Sequence, residues 1–218
     1  YSGGLLEPRL NHNLTMVMDP KGQVYLKNIY GSEDEEKDKI TAQLFGGQTG
    51  QQMRVSYKAL KSKEGINTAV SQTTVWDRKG VVHVYGHNRW GLRLSYQIAK
   101  NQPEKFEYNN NGLLTKHIYP SGKEESFTYE GRDLVGHLIK GEDGKTIQVR
   151  FGYDKAFHKP LFQEISAGGQ TRKIEYTYTP LGNVKTIQRG DLLTSYHYNL
   201  QGQLDEEQTL NRIRRYVY

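Results

Sequence analysis

The chain contains no cysteine. That excludes a disulfide framework and cysteine-ligated zinc or iron–sulfur sites, though not export. Hydrophobic residues are also scarce, 35% of 218, against roughly 45–50% (glycine included) in ordinary globular domains. No apolar run approaches the roughly 18 residues that span a membrane as a helix. The opening YSGGLLEPRL has neither the basic n-region nor the apolar h-region of a signal peptide. It also lacks an initiator methionine, so the sequence reads as a piece of a longer chain. No segment concentrates charge of one sign. Up to Asn109 there are 15 Lys/Arg and 11 Asp/Glu, and beyond it 15 and 13. The net charge of +6 is therefore spread evenly, whereas nucleic-acid binders gather it on one face.

What the chain does have is aromatic residues: 16 Tyr, 6 Phe and 2 Trp. Disordered segments are poor in these. A low aliphatic content with many aromatics predicts a sheet wet on both faces, held by cross-strand aromatic partners.

The aromatics recur in pairs separated by one residue: Phe106 and Tyr108, Phe127 and Tyr129, Phe151 and Tyr153, Tyr176 and Tyr178, Tyr196 and Tyr198, Tyr216 and Tyr218. The second members are spaced by 21, 24, 25, 20 and 20 residues, a period that marks a repeat architecture. A turn follows each pair, clearest in Asn109 to Gly112, Thr179 to Gly182 and Asn199 to Gly202. Asn and Asp suit the turn entry, and Gly supplies the positive φ. An apolar residue returns two positions later, at Leu114, Val184 and Leu204. The Tyr129 copy has Asp133 in the glycine slot, followed by Val135; the Tyr153 copy has Asp154, then Phe157 in that slot. A second turn falls about ten residues on, at Pro120-Ser121-Gly122, Glu142-Asp143-Gly144 and Ala167-Gly168-Gly169. Seven residues separate consecutive turns, enough for a strand about 23 Å long. Each repeat is thus two antiparallel strands. The same grammar places turns at Asp19 to Gly22 and at Asp77 to Gly80, with Val24 and Val82 following. Tyr85 and His87 form a further pair, and the turn from Asn88 to Gly91 comes after it. The array divides into irregular repeats over 1–74, with an acidic loop at 31–39, and regular repeats over 75–218. The acidic loop reads as solvated, because it lacks the alternating ligands, central Gly and closing Glu of a calcium loop.

These residues resemble the YD repeat of the Rhs family, shared by teneurins and the B and C components of Tc insecticidal toxins. That pattern is roughly Tyr-Asp-x-x-Gly-x-Leu followed by a Pro-x-Gly turn. Tyr153-Asp154 matches it literally; Asn109, Thr179, Asn199 or Glu130 replaces Asp elsewhere. YDKAFHKP looks like a longer variant with His158 where Gly usually stands, and MDPKGQVYL and WDRKGVVHVY look like an Asp-Pro-x-Gly half-repeat. The likeness runs from Val75 to Tyr218 and over Asn11 to Tyr30. It implies an all-β strip that spirals into a hollow shell. In bacterial polymorphic toxins, which serve competition between bacteria, the shell encloses a C-terminal toxin until delivery; in teneurins it is an adhesive extracellular barrel. The family's bacterial core ends in a self-cleaving segment with Asp-Pro-x-Gly. Here Asp19-Pro20-Lys21-Gly22 is followed by more repeats and reads as a repeat turn. The implied partners are the rest of the shell, an enclosed toxin domain, and secretion-system or chaperone proteins. The implied location is secreted or in the bacterial cell envelope.

Seven histidines (His12, His83, His87, His117, His137, His158 and His197) raise a metal or catalytic reading. His83 and His87 stand about 13 Å apart on a strand, too far to share an ion, and His87 fills a second-aromatic slot. No zinc-protease, phosphate-loop or nucleophile-elbow motif is present. The expectation is a non-enzymatic chain without metal or cofactor. Two classes remain: an encapsulating wall, favoured by tyrosines that keep repeat register, and a recognition module binding glycans or a protein surface. About sixteen strands would make a strip of roughly 75 Å, one turn of a larger shell, with RIRRYVY as an exposed edge. The second aromatics should form a ladder along one face.

Overall fold

A computed structural model describes residues 13–33, 35–46, 52–63, 65–156, 158–210 and 212–218. His12 and Phe157 lie outside the described residues. Period-two alternation makes the strands. In Lys173-Ile174-Glu175-Tyr176-Thr177-Tyr178, Ile174, Tyr176 and Tyr178 are half-buried while the intervening residues are exposed. Turn residues end each run, and the described secondary structure is all β, in eighteen strands rather than about sixteen.

The chain forms two compact units, dividing between Leu114 and Thr115. The first holds β1 (Met16–Met18), β2 (Val24–Tyr30), β3 (Ile40–Phe45), β4 (Gln52–Ala59), β5 (Ser71–Trp76), β6 (Val82–His87), β7 (Arg93–Ile98) and β8 (Glu104–Tyr108). Each pairs antiparallel with the next. The division falls inside β9 (Leu114–Ile118). The second unit continues with β10 (Glu124–Glu130), β11 (Asp133–Lys140), β12 (Thr146–Tyr153), β13 (Pro160–Ala167), β14 (Gln170–Tyr178), β15 (Val184–Arg189), β16 (Leu192–Tyr198), β17 (Leu204–Thr209) and β18 (Arg212–Arg215). This too is a simple antiparallel meander. Among the described strands β18 pairs with β17 alone, and all four of its residues are exposed.

The register sorts the residues of the two wet faces by polarity. On one face of the second unit Phe127, His137, Val149, Ile165 and Arg172 form a cross-strand row. On the other, Thr128, Gly136, Arg150, Glu164 and Lys173 do. The first unit shows a similar apolar row, Val55, Val75, His83 and Ile98. A one-residue offset separates the sets because side chains alternate across a strand. The apolar face is nonetheless thinly covered. Among the described hydrophobic residues only Ala42, Leu94, Phe106 and Val149 are buried.

The acidic loop is not loose. The Glu35 carboxylate accepts from the Ala59 N–H at 3.3 Å, and Lys39 lies 4.9 Å over the Tyr57 ring. Asp34 lies outside the described residues.

Candidate functional site

The repeated feature is the margin where each even-numbered strand turns into the next odd one. Its turns are built locally. At Asn109 the side-chain oxygen accepts from the N–H groups of Asn111 and Leu113, both at 3.0 Å. The backbone closes twice more, Gly112 N–H to Asn109 carbonyl and Asn109 N–H to Leu113 carbonyl, both 2.9 Å. Gly112 sits at φ +75°, where a Cβ would be strained. The turn from Asn88 to Gly91 and the turn from Asn199 to Gly202 repeat this geometry. The turn from Thr179 to Gly182 does so with the threonine hydroxyl accepting from Asn183.

The turns from Asp19 to Gly22 and from Asp77 to Gly80 have the same bonds. Those two, however, join β1 to β2 and β5 to β6, and so stand at the opposite margin with Tyr119–Gly122 and Gly141–Gly144. Gly80 and Gly91 close successive turns, as their order around the Tyr85/His87 pair implies. Gly91 closes a turn from β6 into β7, at the margin of the second aromatics. Gly80 closes a turn from β5 into β6, at the other margin. Their backbones are nearly identical, at φ +79° for Gly80 and +78° for Gly91. Local turn chemistry is the same at both margins.

Two repeats depart from the expected turn. Asp133 does not fill a glycine slot. It is the first residue of β11, paired with Glu130 across a two-residue turn in which Gly131 has φ +61°. His158 stands where Gly is usual, and it adopts φ +50°. Its Nδ1 lies 3.0 Å from an Asp133 carboxylate oxygen, which helps hold the strained residue. Asp154 opens that turn, accepting from Ala156 N–H at 2.9 Å.

The second aromatics occupy the ends of the even-numbered strands. A register shift precedes Tyr30, His87, Tyr129, Tyr153, Tyr178 and Tyr198, and such a bulge re-aims the side chain that follows. The phenol then reaches back across the preceding strand. Tyr178 donates to Pro160 carbonyl at 2.6 Å, Tyr198 to Val184 at 2.8 Å and Tyr218 to Leu204 at 3.0 Å. In the first unit Tyr30 reaches Leu14 at 3.0 Å, Tyr57 reaches Ile40 at 2.9 Å and Tyr108 reaches Arg93 at 3.0 Å. The acceptors in the second unit are the cross-strand partners of the previous second aromatic. Pro160 pairs with Tyr153, Val184 with Tyr178 and Leu204 with Tyr198. Successive second aromatics are thereby linked through hydroxyl and carbonyl, each clamping three strands at the margin. Burial raises the phenol pKa of Tyr57, Tyr108, Tyr129, Tyr153, Tyr178 and Tyr198 above the ordinary value.

The first aromatics lie inward. Phe106 is buried beneath the Arg93 guanidinium at 4.5 Å, and Phe127 stacks on His137 at 4.6 Å. Phe151 faces Gln163, Tyr176 faces Ile187 and Tyr196 faces Glu207. Tyr216 donates to the Glu207 carboxylate at 3.1 Å. The tips beyond the clamps are in places apolar. Leu181 and Leu200 are exposed, and so is Trp90 beneath Arg89. The turn at Gly122 carries no such group.

Sequence reasoning missed three devices. Asn67, in the loop before β5, bonds both backbone groups of Tyr108, at 2.7 and 3.0 Å, as a strand would. Asn88 is almost fully buried and donates to the Ile66 carbonyl at 2.6 Å. Glu125 gathers Lys123, Tyr119 and His137 at 2.6, 2.9 and 2.8 Å. Burial works to raise that carboxyl, but the hydrogen bonds from Lys123, Tyr119 and His137 outweigh it and bring it down to about 2.

Two of the described histidines, His83 and His87, lie against aromatic rings. His83 uses both ring nitrogens, one at 2.9 Å from the Tyr96 hydroxyl and the other at 3.5 Å from Asp77. His87 lies against Tyr85, and burial, with Arg93 nearby, lowers its pKa. Exposed His197 faces Glu206 across the strands. Among the described residues no three His, Asp or Glu gather to hold a metal ion, and no helix is long and apolar enough to cross a membrane.

No protein-family profile and no curated protein matches the chain. Solved structures do. The chain is similar to TcdB2–TccC3–Cdc42, with TM-score 0.53 and 12% identity over 90% of its length. It is also similar to TcdB2–TccC3, at 0.52 and 13% over 86%, and to TcdB2–TccC3 without the hypervariable C-terminal region, at 0.51 and 13% over 88%. The chain shares its all-antiparallel β fold with part of these TcdB2–TccC3 structures. The chain spans 13% of the length of each of these neighbours.

Proposed function

We propose that the chain is a wall segment of an Rhs-type toxin shell, which encloses a C-terminal toxin until delivery. The observation behind this reading is the clamped margin. It repeats one stitch along the meander, and its product is sheet area rather than a reactive centre. The Tc-like fold agrees with it. In this reading the chain is not an enzyme, its partners are the rest of the shell and the enclosed toxin, and the protein works outside the cytoplasm of a bacterium. Electron microscopy of the full-length polypeptide should show a hollow particle with internal density. A solid globule with every strand face buried would overturn the wall. A second reading, an extracellular recognition module, draws on the exposed Leu181 and Leu200 at adjacent turn tips of the clamped margin.

A further inference from the structure

Among the described residues, two guanidiniums on the apolar face of the second unit have no acidic partner. Arg172 of β14 is the cross-strand partner of Ile165, and Arg189 of β15 that of Ile174. Arg172 is two residues from Ile174 along the same strand, so both arginines flank Ile174 on one face. A cleft of about 470 Å³ opens there, lined in part by Gln163, Ile165 and Ile174 with the two arginines, and no carboxylate lines it. Most other strand arginines are engaged. Arg54 lies over Trp76 and Arg93 over Phe106, while Arg150, Arg214 and Arg215 pair with Glu164, Glu207 and Glu206. Arg212, the remaining exception, belongs to edge strand β18. Lys173 belongs to the opposite face and is paired there with Glu175.

A guanidinium presents a planar fork that takes a carboxylate through two parallel hydrogen bonds. The isoleucines beside it take alkyl groups, and the volume lies within the range of ligand clefts. We propose that this cleft binds an extended polypeptide segment in which an acidic residue and an apolar one stand two positions apart. An acidic and an apolar residue two apart in an extended segment point to the same face, which matches Arg172 and Ile174 spaced by two along β14. The inference rests on the wall reading, since the occupant is then a segment of the enclosed polypeptide.

The probe is a fluorescein-labelled Leu-Ser-Glu-Ser-Leu peptide, which puts Leu, Glu and Leu on one face, titrated into the 218-residue chain at low salt and followed by anisotropy. The Gln counterpart should bind about tenfold more weakly. Arg172→Gln/Arg189→Gln should weaken the Glu peptide by about tenfold or more while leaving the circular dichroism unchanged. If that variant unfolds, Arg189→Lys decides: a partial loss supports the fork, and no loss overturns it. Equal binding of the Glu and Gln peptides, or laurate binding where the peptide does not, overturns the proposal. A hollow full-length particle with no peptide binding sinks this inference alone; a solid particle sinks the wall reading and leaves the binding result standing.

Discussion

The Tyr198 hydroxyl donates to the Val184 carbonyl at 2.8 Å, and Val184 is itself the cross-strand partner of Tyr178. Each link of the margin thus depends on the one before. Tyr178→Phe removes only the hydroxyl and should cost about 1 kcal/mol. Tyr178→Ala also removes the ring and should cost about 2–4 kcal/mol. Urea denaturation separates the two. An alanine loss under about 0.5 kcal/mol, the scale of ordinary surface changes, would show that the clamp contributes nothing.

Acid should weaken the fold through Glu125. Its carboxyl falls from an ordinary 4.5 to about 2 in the folded chain. A depressed carboxyl gives stability that is present above the unfolded pKa and lost as pH drops through the folded one. The midpoint of thermal unfolding should therefore fall between pH 4.5 and about 2, and Glu125→Gln should flatten that fall. Parallel curves for the two proteins would remove Glu125 from the account.

Base should act through the clamps. Phenols raised by burial, as at Tyr178 and Tyr198, stabilise the fold below their unfolded pKa, and that stability is lost as pH climbs through the folded one. Absorbance at the phenolate band should show the clamp tyrosines ionising above the free-tyrosine value, with unfolding accompanying that step. A single phenolate transition at the free-tyrosine value would contradict the clamp.

Gly152 is held by packing rather than by its φ. A Cβ there would stand 2.2 Å from the Phe162 ring, which lies across it in the neighbouring strand. Gly152→Ala should cost about 1–3 kcal/mol, as overpacking does, and adding Phe162→Leu should recover part of it. If the double variant is no more stable than Gly152→Ala, the ring is not the obstacle.

Much of this was legible because it is local. The bonds from Asn109 to Asn111 and Leu113 span at most four residues, so residue type and spacing sufficed. The strands around Lys173–Tyr178 showed their alternation directly. Where the sequence offered Asp133 as a turn glycine, a two-residue turn at Gly131 competed and prevailed.

From the sequence alone came the strand-turn repeat, the paired aromatics and the positive-φ glycines, since each is set by preferences within a few residues. Tertiary structure decided which carbonyl each tyrosine reaches, as Tyr178 reaches Pro160 18 residues earlier. It decided that Asn67 would hold Tyr108 41 residues away. It also sorted the alternating residues into one apolar and one polar face. These outcomes depend on strand register, and a single bulge shifts the register by one residue, sending every later side chain to the other face.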